Sequence, residues 1–293
     1  YNLTKYIESS LNGELSFVSN GSSKLYDTNV YEKLVTNDLK YQSYKNIIAN
    51  GFVTNYELLL KNSNSDGKNS QNSKNELDQN LQSIIKYQIQ YPLKKEGVKF
   101  DKVLTPIFSA RFSPNKSKNI YNLDRNINFN NVFGFNRLGT NDSVEGGTSL
   151  TYGIEYNKLN ENDQNIFSLG LANVQREKKD PDLPLRSTLG NQTSDIFGTL
   201  KYNASEWLEL EYNFAIDNNI DKSNFDEIKS TFSINNFVTS FSFLDDVHSE
   251  NNQSYLSNTT KYKFDENKSI TFAGRRNREL DMTEFYNLIY EYK

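Results

Sequence analysis

The sequence of 293 residues contains no cysteine, one histidine, one methionine and one tryptophan. Without cysteine the chain can form neither a disulfide nor a thiolate metal site. Its single histidine, His248, has no second histidine or cysteine with which to build a zinc site or a nucleophilic triad. We therefore predict a solvated surface position for His248, and we predict no catalytic residue, no metal site and no cofactor.

Long apolar runs and an excess of basic residues are also missing. The mean hydropathy is -0.75, and no stretch approaches the ~20 apolar residues that a membrane-spanning helix requires. The formal net charge is -4, without the basic stripe that nucleic-acid-binding proteins carry. The 19 tyrosines and 19 phenylalanines nevertheless exceed what disordered chains contain. A fold or a membrane must therefore cover these rings.

Alternation of apolar and polar residues is the main pattern that is present. In EWLELEYNFAI, residues 206–216, large apolar residues from Leu208 to Ile216 share one parity, whereas Glu209 and Glu211 share the other. Similar alternation recurs in residues 52–60, 85–91, 104–112, 150–156, 237–243 and 286–292. Period two is typical of β-strands. We predict an all-β antiparallel chain with about fourteen strands of roughly 10 to 15 residues each.

The predicted connections alternate in length along the chain. Long polar connections are expected at 20–30, 62–80, 114–145 and 178–192, and short ones near 45–49, 93–97, 159–164, 204–205, 235–236 and 265–268. Alternate connections of a meander lie at the same end of the sheet, so one end carries large loops. This asymmetry is typical of an up-and-down transmembrane β-barrel. Two alternatives remain open, namely a half-buried soluble sheet and a domain linker at 62–80.

The cost of burying charge orients the strand at 206–216. A charged side chain on the lipid face costs about 2 to 4 kcal/mol at the bilayer midplane. We therefore predict that Glu209 and Glu211 face the lumen of the barrel. The side chains predicted to face lipid are Leu208, Leu210, Phe214 and Ile216. Trp207 and Tyr212 are candidates for the membrane interface, where amphipathic rings accumulate.

Three parts of the chain resemble one protein family. They are VLTPIFSARFSPNKSKN at 103–119 with NLDRNINFNNVFGFNRLGTNDSVEGGTSLTYGIEY at 122–156, LPLRSTLGNQTSDIFGTLKYNASEWLELEY at 183–212, and FYNLIYEYK at 285–293. Together they resemble the C-terminal barrel of the lipopolysaccharide-assembly outer-membrane protein family LptD, the organic solvent tolerance protein family. The matching positions are Asn131, Val132, Phe133, Arg137, Asp142, Val144, Glu145, Gly147, Ser194, Asp195, Ile196, Gly198 and residues 287–292. Thr140, Asn141 and Ser143 depart from the family pattern.

The resemblance implies a translocon component of the Gram-negative outer membrane that inserts lipopolysaccharide into the outer leaflet. Residues 1–293 would be the C-terminal part of the barrel, with a periplasmic β-jellyroll and the first barrel strands outside this chain. A plug lipoprotein similar to LptE and a periplasmic bridge protein similar to LptA are the implied partners. A passive porin or other outer-membrane channel remains an alternative, as does a secreted soluble β adhesin.

The resemblance also suggests which residues handle the lipid. The last strand, residues 283–293, would form one side of a lateral gate for the acyl chains. The gate residues predicted to face lipid or lipid A are Tyr286, Leu288, Tyr290 and Tyr292. The residues predicted to line the hydrophilic lumen, through which the sugars pass, are Glu155, Glu209 and Glu211. Arg275, Arg276 and Arg278 offer either a phosphate-binding cluster or an ordinary charged rim.

Overall fold

The structure, a computed structural model, describes residues 1–9, 12–26, 29–70, 75–205, 207–247 and 252–293. His248 lies outside the described residues, so its surface position stays a prediction. The described chain forms one sheet with two short 3₁₀ turns, Ala49–Gly51 and Leu185–Ser187. No helix within these ranges is long and apolar enough to cross a membrane.

Seventeen strands make up the sheet in the described part of the chain. In chain order they are β1 (Asn2–Ser9), β2 (Gly13–Leu25), β3 (Tyr31–Ser43), β4 (Asn46–Ile47), β5 (Val53–Lys68), β6 (Asp78–Gln90), β7 (Leu93–Lys95), β8 (Asp101–Ser113), β9 (Gly147–Leu159), β10 (Asn165–Arg176), β11 (Ile196–Ser205), β12 (Leu208–Ile216), β13 (Ser223–Ile234), β14 (Phe237–Asp246), β15 (Gln253–Lys263), β16 (Lys268–Asn277) and β17 (Met282–Tyr292). The predicted all-β fold is confirmed. The predicted number of about fourteen strands is too low, mainly because β4 and β7 are short strands inside predicted turns.

The long strands follow one another as an up-and-down meander. Each pairs antiparallel with the next long strand, from β1 with β2 to β16 with β17. The short strands accompany turns, since β4 pairs with β5 and β7 pairs with β8. Among the described residues β1 pairs only with β2, and β17 pairs only with β16. The sheet is therefore open at these two edges, which is consistent with part of a barrel wall.

The polar stretches 20–30 and 62–80 contain more strand than the sequence predicts, because β2 and β5 extend well into them. Polar side chains bond across the sheet at this level. Ser19 Oγ donates to Asn37 Oδ1 at 2.7 Å, and Asn37 Nδ2 donates to Asn62 Oδ1 at 3.3 Å. Strand pairing depends on backbone hydrogen bonds rather than on apolar side chains, so the predicted extent of these two connections is wrong.

The connections define two ends of the sheet. The loop end carries the connections 26–30, 69–77, 114–146, 177–195, 217–222, 247–252 and 278–281, and the turn end carries 10–12, 44–52, 91–100, 160–164, 206–207, 235–236 and 264–267. The two long connections 114–146 and 177–195 share the loop end, as predicted. The turns at 44–52 and 91–100 are longer than predicted because they contain β4 and β7.

Candidate functional site

The strand register sorts side chains into two faces. Ser109 of β8 lies opposite Thr151 of β9, which lies opposite Val174 of β10. These side chains are only 3%, 3% and 0% exposed. Apolar residues of the connections 114–146 and 177–195 pack over this side of the sheet. We call it the loop-covered face.

The opposite side of the same strands is the apolar face. Large apolar side chains there stay partly exposed, with Phe108 at 40%, Tyr152 at 46% and Ile154 at 39%. They alternate along each strand with side chains of the loop-covered face. Leu208, Leu210, Phe214 and Ile216, the residues predicted to face lipid, lie on this face. A wide surface of half-exposed apolar side chains is typical of the lipid-facing side of a barrel.

The three predicted lumen residues lie on the loop-covered face. Glu155 shares its parity with Thr151 on β9, and Glu209 and Glu211 lie two residues apart on β12. Strands β10 and β11 separate them, a distance of about 14 Å at the usual strand spacing. The structure therefore places the three on one side of the sheet without bringing them into one cluster. That they line a lumen stays a prediction.

Glu211 belongs to a row of charged and amide side chains across β11, β12 and β13. Its carboxylate lies 3.4 Å from Lys201 Nζ and accepts a hydrogen bond from Asn213 Nδ2 at 3.0 Å. Asn213 Nδ2 also donates to Glu227 Oε2 at 3.2 Å. Charges of both signs at the same level make this part of the loop-covered face hydrophilic.

Four charged side chains meet beneath the connection 114–146. Arg137 Nε donates to Glu145 Oε2 at 2.7 Å, and Arg176 Nη1 donates to the same carboxylate. Arg111 Nη1 donates to the Glu145 carbonyl oxygen at 2.8 Å and lies 3.6 Å from Glu145 Oε2. Each of the four residues is 4% exposed. We call this cluster the Glu145 clasp.

The Glu145 clasp fastens the connection 114–146 to three neighbouring strands. Arg111 belongs to β8 and Arg176 to the end of β10. Arg137 also donates to Ser149 Oγ at 2.9 Å and to Thr151 Oγ1 at 3.1 Å, both on β9. The connection therefore has a defined position over the loop-covered face.

The pKa of Glu145, which lies in a connection outside the strands, is far below its ordinary value. Burial alone would raise this pKa, because desolvation disfavours the carboxylate. The positive charges of Arg137, Arg111 and Arg176 outweigh that effect. The carboxylate therefore stays ionised at physiological pH, and the clasp holds three cations around one buried anion.

The glycines after Glu145 let the chain pass close to the clasp. A Cβ on Gly146 would collide with the Asn115 carbonyl oxygen. Gly147 has a φ of +77°, a conformation that L side chains rarely adopt, and Arg176 Nη2 is 3.2 Å from the position of its missing Cβ. The Glu-Gly pattern recognised in the sequence thus has a steric basis.

Two apolar clusters hold the long connections on the sheet. The larger consists of Ile120, Ile127, Phe129, Val132, Leu138, Ala172, Val174, Leu183, Leu189, Phe197 and Ala215. The smaller consists of Leu59, Ile84, Phe135 and Val144. Both clusters combine residues of the connections with residues of the strands, so the connections pack like parts of a core and not like solvated loops.

The Ser194-Asp195-Ile196-Gly198 motif shapes the entry into β11. Val174 N donates to Ser194 Oγ at 2.9 Å, and Asn224 Nδ2 donates to an Asp195 carboxylate oxygen at 2.8 Å. The Phe214 ring lies over Gly198, where a Cβ would have no room. Ser194, Asp195 and Gly198 therefore tie the entry into β11 to β10, β13 and β12, respectively.

The predicted gate residues lie along one side of the edge strand β17. Tyr286, Leu288 and Tyr290 are opposite Gly274, Phe272 and Ile270 of β16. The exposed fractions of Tyr286, Leu288, Tyr290 and Tyr292 are 70%, 70%, 59% and 72%. The side chains are therefore available to lipid, but their role in a gate stays a prediction.

The arginines at the end of β16 are engaged with separate partners. Arg275 pairs with Glu284, with guanidinium to carboxylate distance 2.5 Å, and Arg276 pairs with Asp281. Arg278 lies over the Phe243 ring at 5.1 Å. The arrangement corresponds to the charged rim rather than to a shared phosphate site. Among the residues that the structure describes, no three His, Cys, Asp or Glu side chains are grouped so that they could hold a metal ion.

Arg137 and Glu145 are recognisable in the sequence only as positions of the family pattern, and Arg111 and Arg176 were not predicted. A usable signal existed, because both arginines stand at loop-covered positions of strands that border a long connection. Their common partner was not predictable, since Glu145 is 34 residues from Arg111 and 31 residues from Arg176.

Comparison with protein families agrees with this geometry. The model of the family LptD, LPS transport system D, matches residues 38–277. The match includes residues 38–102, where only a strand pattern was recognised, and excludes the closing stretch 285–293. No curated protein matches the chain. The family acts in lipopolysaccharide transport and assembly at the outer membrane, and with most of its length matched this chain belongs to the LptD family.

Proposed function

We propose that this chain is part of an outer-membrane translocon that inserts lipopolysaccharide into the outer leaflet. The sugars move along the loop-covered face, and the acyl chains leave sideways at a seam that includes β17. The observation that carries the proposal is the division of the same strands into a polar, loop-covered face and an apolar face, in a member of the LptD family. An amphiphile needs a polar surface for its sugars and an apolar surface for its acyl chains, and the two faces of a barrel strand offer both.

The edge strand β17 supports a lateral exit. Its outer backbone edge has no partner in the described chain, and an unpaired edge in lipid is costly. A seam that pairs weakly with another strand can open at less cost than a continuous sheet. Tyr286, Leu288, Tyr290 and Tyr292 then offer apolar and aromatic surface to acyl chains at the seam.

Partners, location and domain context follow from family membership. The proposal places the chain in the outer membrane as the C-terminal part of a larger barrel. An LptE-like lipoprotein plugs the lumen, and an LptA-like bridge protein delivers the lipid from the periplasm. Family membership is the support for these statements.

In vivo photocrosslinking in the full-length protein tests the route. A probe at Glu211 reports the loop-covered face, and a control probe at Leu210 reports the apolar face one residue away. We expect a lipopolysaccharide adduct at Glu211 that disappears when periplasmic delivery of lipid is blocked. An adduct at Leu210 without one at Glu211 would leave a passive channel as the better interpretation, because resident lipid labels only the outside.

A further inference from the structure

A large cavity lies at the turn end of the sheet, away from the two long connections. It has a volume of about 1200 Å³ and is bounded by the ends of β9 to β13 and the turns between them. Its walls consist of Phe100, Lys158, Asn160, Asn162, Gln164, Asn165, Ile166, Tyr202, Asn203, Ser205, Trp207, Leu208, Glu209, Thr231 and Ser233. Pockets for drug-sized ligands measure roughly 300 to 1000 Å³, so this one has room for several linked rings.

Trp207, the single tryptophan of the sequence, is in the wall of this cavity. Its side chain is 49% exposed, although tryptophan is usually among the better buried residues. The residue is held in the turn between β11 and β12, where Ser233 N donates to its carbonyl oxygen at 2.9 Å. A rigid indole presented in this way offers an apolar face and one N–H donor to a ligand.

Amide side chains share the cavity wall with the indole and keep unused hydrogen-bonding atoms. Asn160 Nδ2 donates to Gln164 Oε1 at 2.9 Å, and Asn203 Nδ2 donates to the Asn165 carbonyl oxygen at 2.8 Å. These bonds orient the amides while Gln164 Nε2 and Asn203 Oδ1 have no partner among the described residues. Each amide offers both donors and acceptors in a fixed plane.

The carboxylate of Glu209 adds unused acceptors, whereas the hydroxyl of Ser205 is closed off. Glu209 forms no hydrogen bond or ion pair within the described ranges and is exposed. Ser205 Oγ is buried and has no partner among the described residues. This oxygen is closed off from the cavity, so it offers a ligand no hydrogen bond.

The charge of the wall limits the ligand class. Lys158 and Glu209 are the charged side chains of the lining, and Lys158 Nζ lies over the Phe100 ring at 4.0 Å. Such a nearly neutral wall is a poor match for a phosphate group, which prefers clustered cations. An exposed indole with amides, a carboxylate and hydroxyls instead matches sugars, whose C–H faces pack on rings and whose hydroxyls both donate and accept.

We propose that this cavity is an oligosaccharide-binding site in which Trp207 supports one sugar ring and Glu209 accepts hydrogen bonds from neighbouring hydroxyls. The proposal deepens the proposed function and rests on it where the sugar is that of lipopolysaccharide. The cavity lies at the rim opposite the Glu145 clasp, where Glu209, Thr231 and Ser233 share the parity of the loop-covered face while Tyr202 and Leu208 share that of the apolar face. In the proposed route the sugars enter at this rim. The same chemistry also fits the glycan strands of peptidoglycan, so the experiment separates these two sources.

Isothermal titration calorimetry of the full-length protein in lipid nanodiscs tests the site. The probes are lipid-free core oligosaccharide, released from lipopolysaccharide by mild acid, and the linear tetramer of N-acetylglucosamine. We expect Trp207→Ala and Glu209→Gln each to weaken binding ~10-fold, the scale of one lost ring contact or hydrogen bond. Phe264→Ala and Glu266→Gln are matched controls, because both are exposed residues of the turn end outside the cavity.

Each pattern of binding across the two probes and the variants supports or overturns a specific claim. Binding of the core oligosaccharide that both cavity variants weaken supports the site with lipopolysaccharide as the source, and tetramer binding with the same dependence supports a cell-wall glycan. Absence of binding to either probe, or binding that neither variant changes, overturns the site. Trp207-dependent core binding without a photocrosslink at Glu211 would retain the sugar site and reject translocation through the interior.

Discussion

Glu145 shows how one buried carboxylate organises a long connection. Three guanidinium groups surround it, each on a residue that is 4% exposed. Burying charges costs several kcal/mol per ion, and only good geometry repays this cost. Such a cluster therefore contributes to the position of the connection more than to net stability. Removing its single central anion leaves the buried positive charges of Arg111, Arg137 and Arg176 without a compensating negative charge.

We expect Glu145→Gln to destabilise the folded protein by about 3 to 5 kcal/mol, the usual cost of breaking a buried ion pair by removing one partner. Urea unfolding of the protein in detergent measures this change, and trypsin cleavage after Arg137 reports release of the connection. Glu161→Gln is the control, because Glu161 is an exposed residue of the turn between β9 and β10. Equal free energies of unfolding for the two variants would show that the clasp does not stabilise the folded protein.

The effect of Glu145→Gln should depend on pH. The pKa of Glu145 is lower in the folded protein than in the unfolded chain, so its contribution is complete above the unfolded pKa of about 4.3. That contribution is lost as the pH falls from this value toward the folded pKa. The difference in unfolding free energy between native protein and variant should therefore shrink in acid, and a difference that grows would contradict the assignment.

β17 shows how parity assigns adjacent residues to different surroundings. Asn287 lies opposite Ala273, and Leu288 lies opposite Phe272 on the apolar face. Leu288 is 70% exposed, so its side chain faces the solvent or the membrane outside the sheet. Two neighbouring substitutions on this strand can thus distinguish lipid from lumen.

We expect Leu288→Lys to impair folding into lipid vesicles by about 2 to 4 kcal/mol, the cost of a charge facing the bilayer midplane. Asn287→Lys introduces the same charge one residue earlier and should cost far less, because that side faces away from lipid. The fraction folded, read from the gel mobility of unheated samples, measures both. Similar losses for both variants would contradict the assignment of the apolar face to lipid.

The long connections link distant parts of the whole sheet. Lys61 Nζ on β5 donates to the Asn141 carbonyl oxygen at 2.8 Å and to Asp38 on β3 at 2.7 Å. At the other side Asn126 Nδ2 donates to Asp246 of β14 at 3.3 Å. A single connection therefore reaches from β5 to β14 and covers the loop-covered face at the loop end. In a closed barrel this arrangement obstructs passage along the axis.

We expect Lys61→Met to raise the ionic conductance of the full-length protein in planar bilayers severalfold, because the tip of the connection loses its anchor while the Glu145 clasp stays intact. Lys24→Met is the control, since Lys24 is an exposed residue near the loop end of β2. Unchanged conductance in both variants would mean that the contact of Lys61 with Asn141 does not obstruct the pore.

Much of the fold was predictable because β-structure has a local period. Alternation on β12 separates Glu209 and Glu211 from Leu208 and Leu210 without knowledge of any partner strand. Strand ends were less predictable, since the Ser19–Asn37 bond that accompanies long polar strands joins residues of different strands. The family pattern marked positions such as Gly198, but the Phe214 ring that explains this glycine belongs to the next strand.

The all-β class, the two faces of the strands and the family are readable from the sequence alone, because each follows from residues close together in the chain. That the connections 114–146 and 177–195 fold back over the polar face is evident only in the folded sheet. The tertiary structure alone brought Arg111 and Arg176 to Glu145, and it alone assembled the cavity beside Trp207. The physical reason is that these contacts join residues far apart in the chain, and their choice of partner depends on packing and charge compensation in the folded sheet.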